Sequence, residues 1–362
     1  MKGLREPSPK LNNALFFLAG VLTVVLVFVL VVGIQTKAQG TRQNYGEAKE
    51  SGSAATAPEE DSVVADAPEE QPSEELEKWQ EGVIEYKGSN YRYNSNIRTY
   101  LMMGIDQENP VEEAQDYVSG GQSDAMFLLV ADSSNQKLNV ISINRNTMTE
   151  IDLYDENGYS LGSMEGQICL QHAFGDGRKL SCSRSMDAVA KLFGNIPISG
   201  YLAMNMGGIP MMNDAVGGVE VTVLQDIKYP QKGVDLRMGD TVTLSGEEAY
   251  CYLRGRDVTE YDSASDRLRR EEQYILSYMG KLKSLAGSNS SMAVSIYDSI
   301  SDYLVTSVDF TELITELMDY DFSEEDMYTV PGKTTMGEDF EEYYVDEDAF
   351  RDLIFQIFYT EV

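Results

Sequence analysis

Apolar residues are distributed along this chain in three ways, and each predicts a different kind of segment. Ala14 to Ile34 is an apolar stretch of 21 residues with no charge inside it. As a helix it would extend about 30 Å, the thickness of a bilayer's hydrocarbon core, which predicts a membrane anchor. A secretory signal has a shorter apolar region and a small-residue cleavage site, and Ala38-Gln39-Gly40 is a poor version of one. From Gln39 to Glu81 the chain is rich in Ala, Ser, Pro and Glu, with large apolar residues nearly absent. Such a stretch buries too little surface to offset its conformational entropy, so it is expected to be a disordered, self-repelling tether.

Beyond the tether, apolar residues recur at strand and helix periods, with order expected to begin near Ile84 to Tyr93. Tyr100 to Ile105, Ala125 to Ala131 and Lys137 to Ile143 read as strands, the last two joined through Asp132-Ser133-Ser134-Asn135 as a hairpin. Gln167 to Phe174 and Ser185 to Phe193 have helical spacing, and Tyr201 to Met204 reads as a short strand. Ile209 to Ala215 reads as a helix stopped by Gly217-Gly218, followed by a strand at Val219 to Val223. Glu247 to Leu253 is expected to be an apolar strand leading into Arg254-Gly255-Arg256. Arg267 to Leu285 has the spacing of a long amphipathic helix, and helices near 292–304 and 310–319, a strand near Tyr328 and a terminal helix from Asp346 follow. Strands and helices in mixed order predict an α/β or α+β domain with a central sheet.

Lys2, Arg5 and Lys10 precede the apolar stretch, and the short N-terminus favours a cytoplasmic start. The expected layout is therefore a cytoplasmic N-terminus (1–13), a single transmembrane anchor (14–34), an extracellular linker (35–84) and an extracellular domain (85–362). Charge narrows the function. Lys and Arg number 28 against 60 Asp and Glu, a formal charge of −32. So acidic a chain has no spare positive charge to release counterions from phosphates, which argues against general nucleic-acid binding. The single histidine, His172, excludes His-pair metal motifs, and three cysteines are too few for a disulfide-built fold. The acidic runs near the C-terminus, such as Glu324-Glu325-Asp326, read as a solvated face, since no ladder of calcium ligands with a turn glycine is present.

Against that background the arginines stand out. Arg254 and Arg256 lie two apart, Asp266, Arg269 and Gln273 follow at helical spacings of three and four, and Arg145 ends a separate strand. Guanidinium forks match phosphate oxygens and stay charged at any physiological pH. Convergence of these side chains would make a pyrophosphate clamp; the alternative, equally compatible with spacing, is a set of structural salt bridges. Asp106 and Asp124 each stand at the edge of an apolar strand, where two carboxylates could hold Mg²⁺ or serve as ordinary turn residues.

Seven segments in order resemble the LytR–CpsA–Psr (LCP) family of cell-envelope phosphotransferases. They are Met103-Gly104-Ile105-Asp106, Ser123-Asp124, Ser142 to Thr147, Asp214 to Val219, Leu244 to Tyr250, Tyr252 to Arg256, and Asp266 to Arg269 with Gln273. The likeness covers about residues 97–285. It implies a three-layer α-β-α domain with a mixed central sheet. It also implies transfer of a glycopolymer such as teichoic acid or capsule from a polyprenyl-pyrophosphate carrier to peptidoglycan, forming a phosphodiester with Mg²⁺ assistance. By motif match Asp106 and Asp124 would bind the metal. Arg145, Arg254, Arg256, Arg269, Gln273 and Gln122 would contact the pyrophosphate, with Asp266, Arg269 and Arg145 as catalytic residues. The chain departs from the family pattern at Gln122, where Arg is usual, at Asn146, where Asp is usual, and at Cys169, where many members carry Lys. Two positive charges are therefore missing around the phosphates. These departures keep two other functions in view: a polyprenyl-phosphate-binding or regulatory envelope protein without turnover, and a pyrophosphatase with water as acceptor.

A polyprenyl chain needs a dry groove, and Met204, Met206, Met211 and Met212 could line one or simply pack in the core. His172, in the apolar run Ile168 to Phe174, reads as structural. Cys169 and Cys182 are spaced for a possible disulfide in an oxidising compartment, with Cys251 the odd thiol.

Overall fold

The computed structural model describes residues 82–256, 260–286 and 291–362. The expected membrane anchor, Ala14 to Ile34, and nearly all of the linker lie outside the described residues. Among the described residues no helix is long and apolar enough to cross a membrane.

Six strands form the central sheet: β1 (Ile97–Ile105), β2 (Ser123–Asp132), β3 (Lys137–Ser142), β4 (Gly200–Asn205), β5 (Leu304–Thr306) and β6 (Met327–Thr329). Their order is β5-β4-β1-β2-β3-β6. β1, β2 and β3 form an antiparallel meander, β4 joins β1 in parallel, β5 runs antiparallel to β4, and β6 is parallel to β3. The tight β2–β3 connection is set by Asp132, whose Oδ1 accepts the Ser134 backbone N–H at 2.8 Å. β2 reads as a continuous apolar run because both of its faces are covered. Tyr100, Phe127, Leu129, Val140 and Leu202 face one core, and Leu101, Met103, Met126, Leu128 and Ile141 face the other.

Among the described residues seven α-helices supply the outer layers: α1 (Lys179–Leu192), α2 (Ile209–Ala215), α3 (Gly246–Arg254), α4 (Ser263–Ala286), α5 (Met292–Ile300), α6 (Phe310–Leu317) and α7 (Glu347–Phe358). α1 and α7 cover one face, and α2 to α6 cover the other. The result is the three-layer α-β-α arrangement with a mixed sheet. α2 ends where expected, Gly217 and Gly218 taking φ of +77° and +86°, conformations that L side chains rarely adopt.

Three sequence expectations need correction. Glu247 to Leu253 is not a strand but the body of α3. Its start is fixed by a capping box, in which Ser245 Oγ accepts the Glu248 N–H at 3.4 Å and Glu248 Oε2 accepts the Ser245 N–H at 2.9 Å. α1 begins at Lys179 rather than near Ser185, because Asp176 Oδ1 accepts the backbone N–H groups of Leu180 and Ser181 at 3.0 and 3.2 Å. Cys169 and Cys182 are free thiols, as is Cys251. Cys169 faces Arg145 at 3.1 Å, and Cys182 faces His172 Nε2 at 3.7 Å, so each sulfur turns to a different partner. Two hairpins without a clear apolar alternation, Met148–Tyr154 with Ser160–Gln167 and Gly332–Met336 with Glu341–Val345, form separate two-stranded sheets.

Candidate active site

Antiparallel pairing brings the end of β1 and the start of β2 to the same edge of the sheet, which sets Asp106 and Asp124 near one another. The register shifts after Gly104, and Ile105 pairs with Ser123. Beyond that shift Asp106 N donates to Gln122 O at 3.0 Å, and Gln122 N donates to Asp106 Oδ1 at 2.7 Å. The chain leaving β3 delivers Arg145 to this edge. Arg145 Nη1 pairs with Asp124 Oδ1, and its Nη2 reaches Gln122 Oε1 and, at 3.1 Å, Cys169 Sγ. From α4, Arg267 grips Asp124 from the other side: Nη1 lies 2.8 Å from Oδ2, and Nη2 donates to the Asp124 backbone oxygen at 2.8 Å. Asp124 is thus held between two guanidiniums.

Arg254 and Arg256 complete the cluster from the C-terminus of α3. Arg256 Nε donates to Ser263 Oγ and its Nη2 pairs with Glu341 Oε2, both at 2.9 Å. Arg254 reaches Glu108 at 3.4 Å, while Tyr250 O–H donates to the same carboxylate at 2.7 Å. Every one of these arginines has an acidic partner, as the salt-bridge alternative requires. They nevertheless share one electrostatic neighbourhood. Burial, and then the positive charges of Arg267 and Arg145, push the Arg256 guanidinium below its ordinary pKa. Burial alone would raise the Asp124 carboxyl, but Arg267 and Arg145 outweigh it and hold the group below the usual carboxylate range. Asp106 goes the other way: burial and the negative charge of Asp124 raise it, only partly offset by the Gln122 N–H, Arg145 and Arg254. Crowded cations around a strained acid pair are what an anion with its own oxygens, or a cation between the acids, would relax.

The other sequence-selected residues lie elsewhere. Arg269 is exposed and paired with Asp266 three residues earlier, and Gln273 bonds Tyr252 O–H at 2.7 Å and Thr222 O at 2.8 Å. The correction has a simple cause. Asp266, Arg269 and Gln273 do share a helical side, but Leu268, Ile275 and Leu282 set the inward side of α4, which holds Arg267 and Glu271 instead. Tyr274 and Tyr278, seven and eleven residues after Arg267 and on its side of the helix, were the signal that would have chosen it over Arg269. Glu108 and Glu341, also in the cluster, carry no comparable sequence mark. His172 is buried, with Nδ1 at 3.1 Å from Gly121 O, and burial lowers its pKa, so it stands as a neutral structural residue.

Directly behind the arginines, between the sheet and α4 to α6, lies an apolar cavity of about 210 Å³. Gly104 and Ala125 form its sheet wall; a Cβ at Gly104 would meet the Ala125 Cβ at 3.2 Å, so the small pair keeps the strands close and the space open. Met204, Met206 and Met212 line it, but Met211 does not. Glu271 is the single charged lining residue, set at the arginine end, where Arg267 Nε approaches its Oε1 at 3.4 Å. That ion pair is not a hydrogen bond: the buried Arg267 Nε has no hydrogen-bond partner, while both Nη atoms serve Asp124. Burial therefore wins, and the Glu271 carboxyl is pushed up to about 8. A carboxyl with a raised folded-state pKa contributes stability that is fully present below its ordinary value and is lost as pH rises towards the folded value. The expected outcome is stability that declines between about pH 4.5 and 8, and a flatter profile in Glu271→Gln, read by thermal melts across that range.

The chain is also similar to known proteins. TagU of Enterococcus faecalis, a polyisoprenyl-teichoic acid–peptidoglycan teichoic acid transferase, is 27 % identical over 250 residues, 68 % of this chain and 74 % of that protein. The crystal structure of gbs0355 from Streptococcus agalactiae superposes with a TM-score of 0.57 at 22 % identity, over 73 % of this chain and 87 % of that one. The structure of TagT bound to LI-WTA gives 0.54 at 20 % identity, over 73 % and 90 %. At such identities the two structures establish the shared fold. Residues 56–354, a stretch that contains the whole cluster and its cavity, match the LytR_cpsA_psr family, and the chain belongs to that family.

Proposed function

We propose that this chain transfers a glycopolymer from a polyprenyl-pyrophosphate carrier to a hydroxyl of peptidoglycan, leaving a phosphodiester and releasing polyprenyl phosphate. One observation carries the reading: a cluster of guanidiniums opens directly onto an apolar cavity, so a single ligand with a diphosphate head and a hydrocarbon tail would satisfy both. Phosphoryl transfer needs positioning and charge neutralisation more than a nucleophilic side chain. Arg145, Arg254, Arg256 and Arg267 are suited to that work. The relatives named as teichoic acid transferases support wall polymer and peptidoglycan as the substrate class.

Mg²⁺ suits the donor set. Asp106 and Asp124 are hard carboxylates that feel each other's charge. Among the described residues no group of three or more His, Cys, Asp or Glu could hold a metal by itself, and Arg145 and Arg267 already engage both oxygens of Asp124. Most of the ion's ligands would come from the substrate's phosphates and water, and its contribution when bound would be to neutralise their charge.

The test is the full chain in detergent with labelled polyprenyl-pyrophosphate glycan, a peptidoglycan acceptor and Mg²⁺. Labelled acceptor with released polyprenyl phosphate is the expected result. Retained donor without release would make the chain a binder, and free sugar phosphate a pyrophosphatase; either outcome overturns transfer. Arg254→Ala should lower turnover about tenfold, the worth of one half-exposed charge-assisted bond to a phosphate, while leaving the melting temperature nearly unchanged. An unfolded variant would favour a structural role for that arginine.

A further inference from the structure

Exposed apolar side chains gather beside Arg256 on a molecule that is otherwise strongly acidic. Met336 is 64 % exposed, Phe340 63 % and Tyr261 62 %. Two belong to the hairpin 332–345 and one to the segment preceding α4, and hydrogen bonds lace these together. Tyr261 O–H donates to Thr334 O at 2.6 Å, and Glu341 Oε1 accepts the Asp262 N–H at 2.6 Å. The other Glu341 oxygen holds Arg256, so the rim is fastened to the arginine cluster. Scattered exposed apolar residues need no account, but a set at the edge of a polar site does.

α4 supplies a direction. Arg256 bonds Ser263 in its first turn, Arg267 lies one turn on, Glu271 another, and Tyr274 to Leu282 reach the cavity. Rim, arginines and cavity therefore follow one another along about 30 Å of a single helix. With the hydrocarbon chain in the cavity, the departing polyprenyl phosphate lies towards the later turns of α4. In-line displacement puts the attacking oxygen on the opposite side of the phosphorus, towards the rim.

We propose that this rim is the acceptor site, a carbohydrate platform on which a sugar ring of the acceptor glycan lies against Tyr261 and Phe340, with Met336 beside it. Aromatic rings offer flat apolar faces to the C–H faces of a sugar. A glycan whose rings carry no charge there escapes the repulsion that the acidic surface exerts on anions. The acceptor hydroxyl oxygen forms its bond to the phosphorus as the bond to the bridging oxygen breaks. The bridging oxygen leaves with polyprenyl phosphate, which takes up the hydroxyl proton. The inference rests on the transfer reading.

Two measurements on the full chain in detergent test it. In the transfer assay, Tyr261→Ser with Phe340→Ser should raise the KM for a soluble peptidoglycan oligosaccharide about tenfold or more without raising that for the lipid-linked donor, and Phe340→Trp should retain activity. Unchanged acceptor kinetics, or a rise in donor KM instead, would overturn the platform. Saturation-transfer NMR with the free oligosaccharide and no donor should show ring contacts in the parent chain that vanish in the double variant. Contacts in a chain that performs no transfer would defeat the transfer reading and leave the platform standing. Absent contacts, or contacts untouched by the double variant, would defeat the platform.

Discussion

Arg267→Ala is expected to lower stability by about 3–5 kcal/mol and to abolish transfer. The side chain is only 4 % exposed and serves two buried acids, Asp124 through its Nη atoms and Glu271 through Nε. Truncation leaves Asp124 with Arg145 as its one ion pair and Glu271 with only the more distant charge of Arg270. The cost is that of a buried Asp124 charge left half-compensated, since Glu271, pushed up to about 8, stays protonated at neutral pH, and it exceeds what the pairs add when intact. For a domain of this size the melting temperature should drop by roughly ten degrees. Arg267→Lys separates the two roles. It keeps a charge near Asp124 and should recover part of the stability, but an ammonium cannot reproduce the two-point grip on the Asp124 carboxylate and backbone oxygen, so transfer should stay low. Arg269→Ala is the matched comparison, since its exposed pair with Asp266 is worth about 0.3–0.5 kcal/mol at most. Melting curves and transfer rates for the three variants decide the matter. Were Arg269→Ala the damaging one, the assignment of the inward face would be wrong.

That pair of arginines also marks how far the sequence could be read. The four inner strands, β1 to β4, were plain because their two buried faces leave runs of apolar residues that no surface helix would carry. The short edge strand β5 is only half-buried, and its first residue fell within an expected helix. Arg254 and Arg256 were recognisable as a pair although the element beneath them was misread. The apolar run from Ala249 to Leu253 suits a buried strand, and only Ser245 with Glu248 three residues on betrays the helix start. Arg269 was preferred to Arg267 because motif spacing counts residues but not helix faces. The 160–167 strand, Ser160 to Gln167, is exposed along most of its length, so no burial pattern could announce it. Glu341 and Glu108 belong to the cluster through tertiary approach alone. In a chain with 60 acidic residues, nothing in the sequence singles them out.

Ile275→Trp is expected to raise the KM for the lipid-linked donor about a hundredfold or more while leaving the fold at least as stable. Ile275 projects from α4 into the apolar cavity of about 210 Å³, and an indole is larger than the side chain it replaces by well under that volume. Filling an existing void with apolar surface adds contacts instead of forcing them, which separates this substitution from overpacking a dense core. If the cavity is only loose packing, the extra volume should raise the melting temperature and do nothing to transfer. If it receives the hydrocarbon chain, the indole takes the place of several methylenes, each worth about 0.8 kcal/mol on burial, so three or four lost contacts give the expected hundredfold. A donor analogue with a short isoprenoid, too short to reach past Ile275, supplies the discriminating arm. Its turnover should be nearly the same in the parent and in Ile275→Trp, because the arginines and carboxylates at the head are untouched. Equal loss for long and short donors would mean that the indole had disturbed the head site. No loss for either would return the cavity to the hydrophobic core.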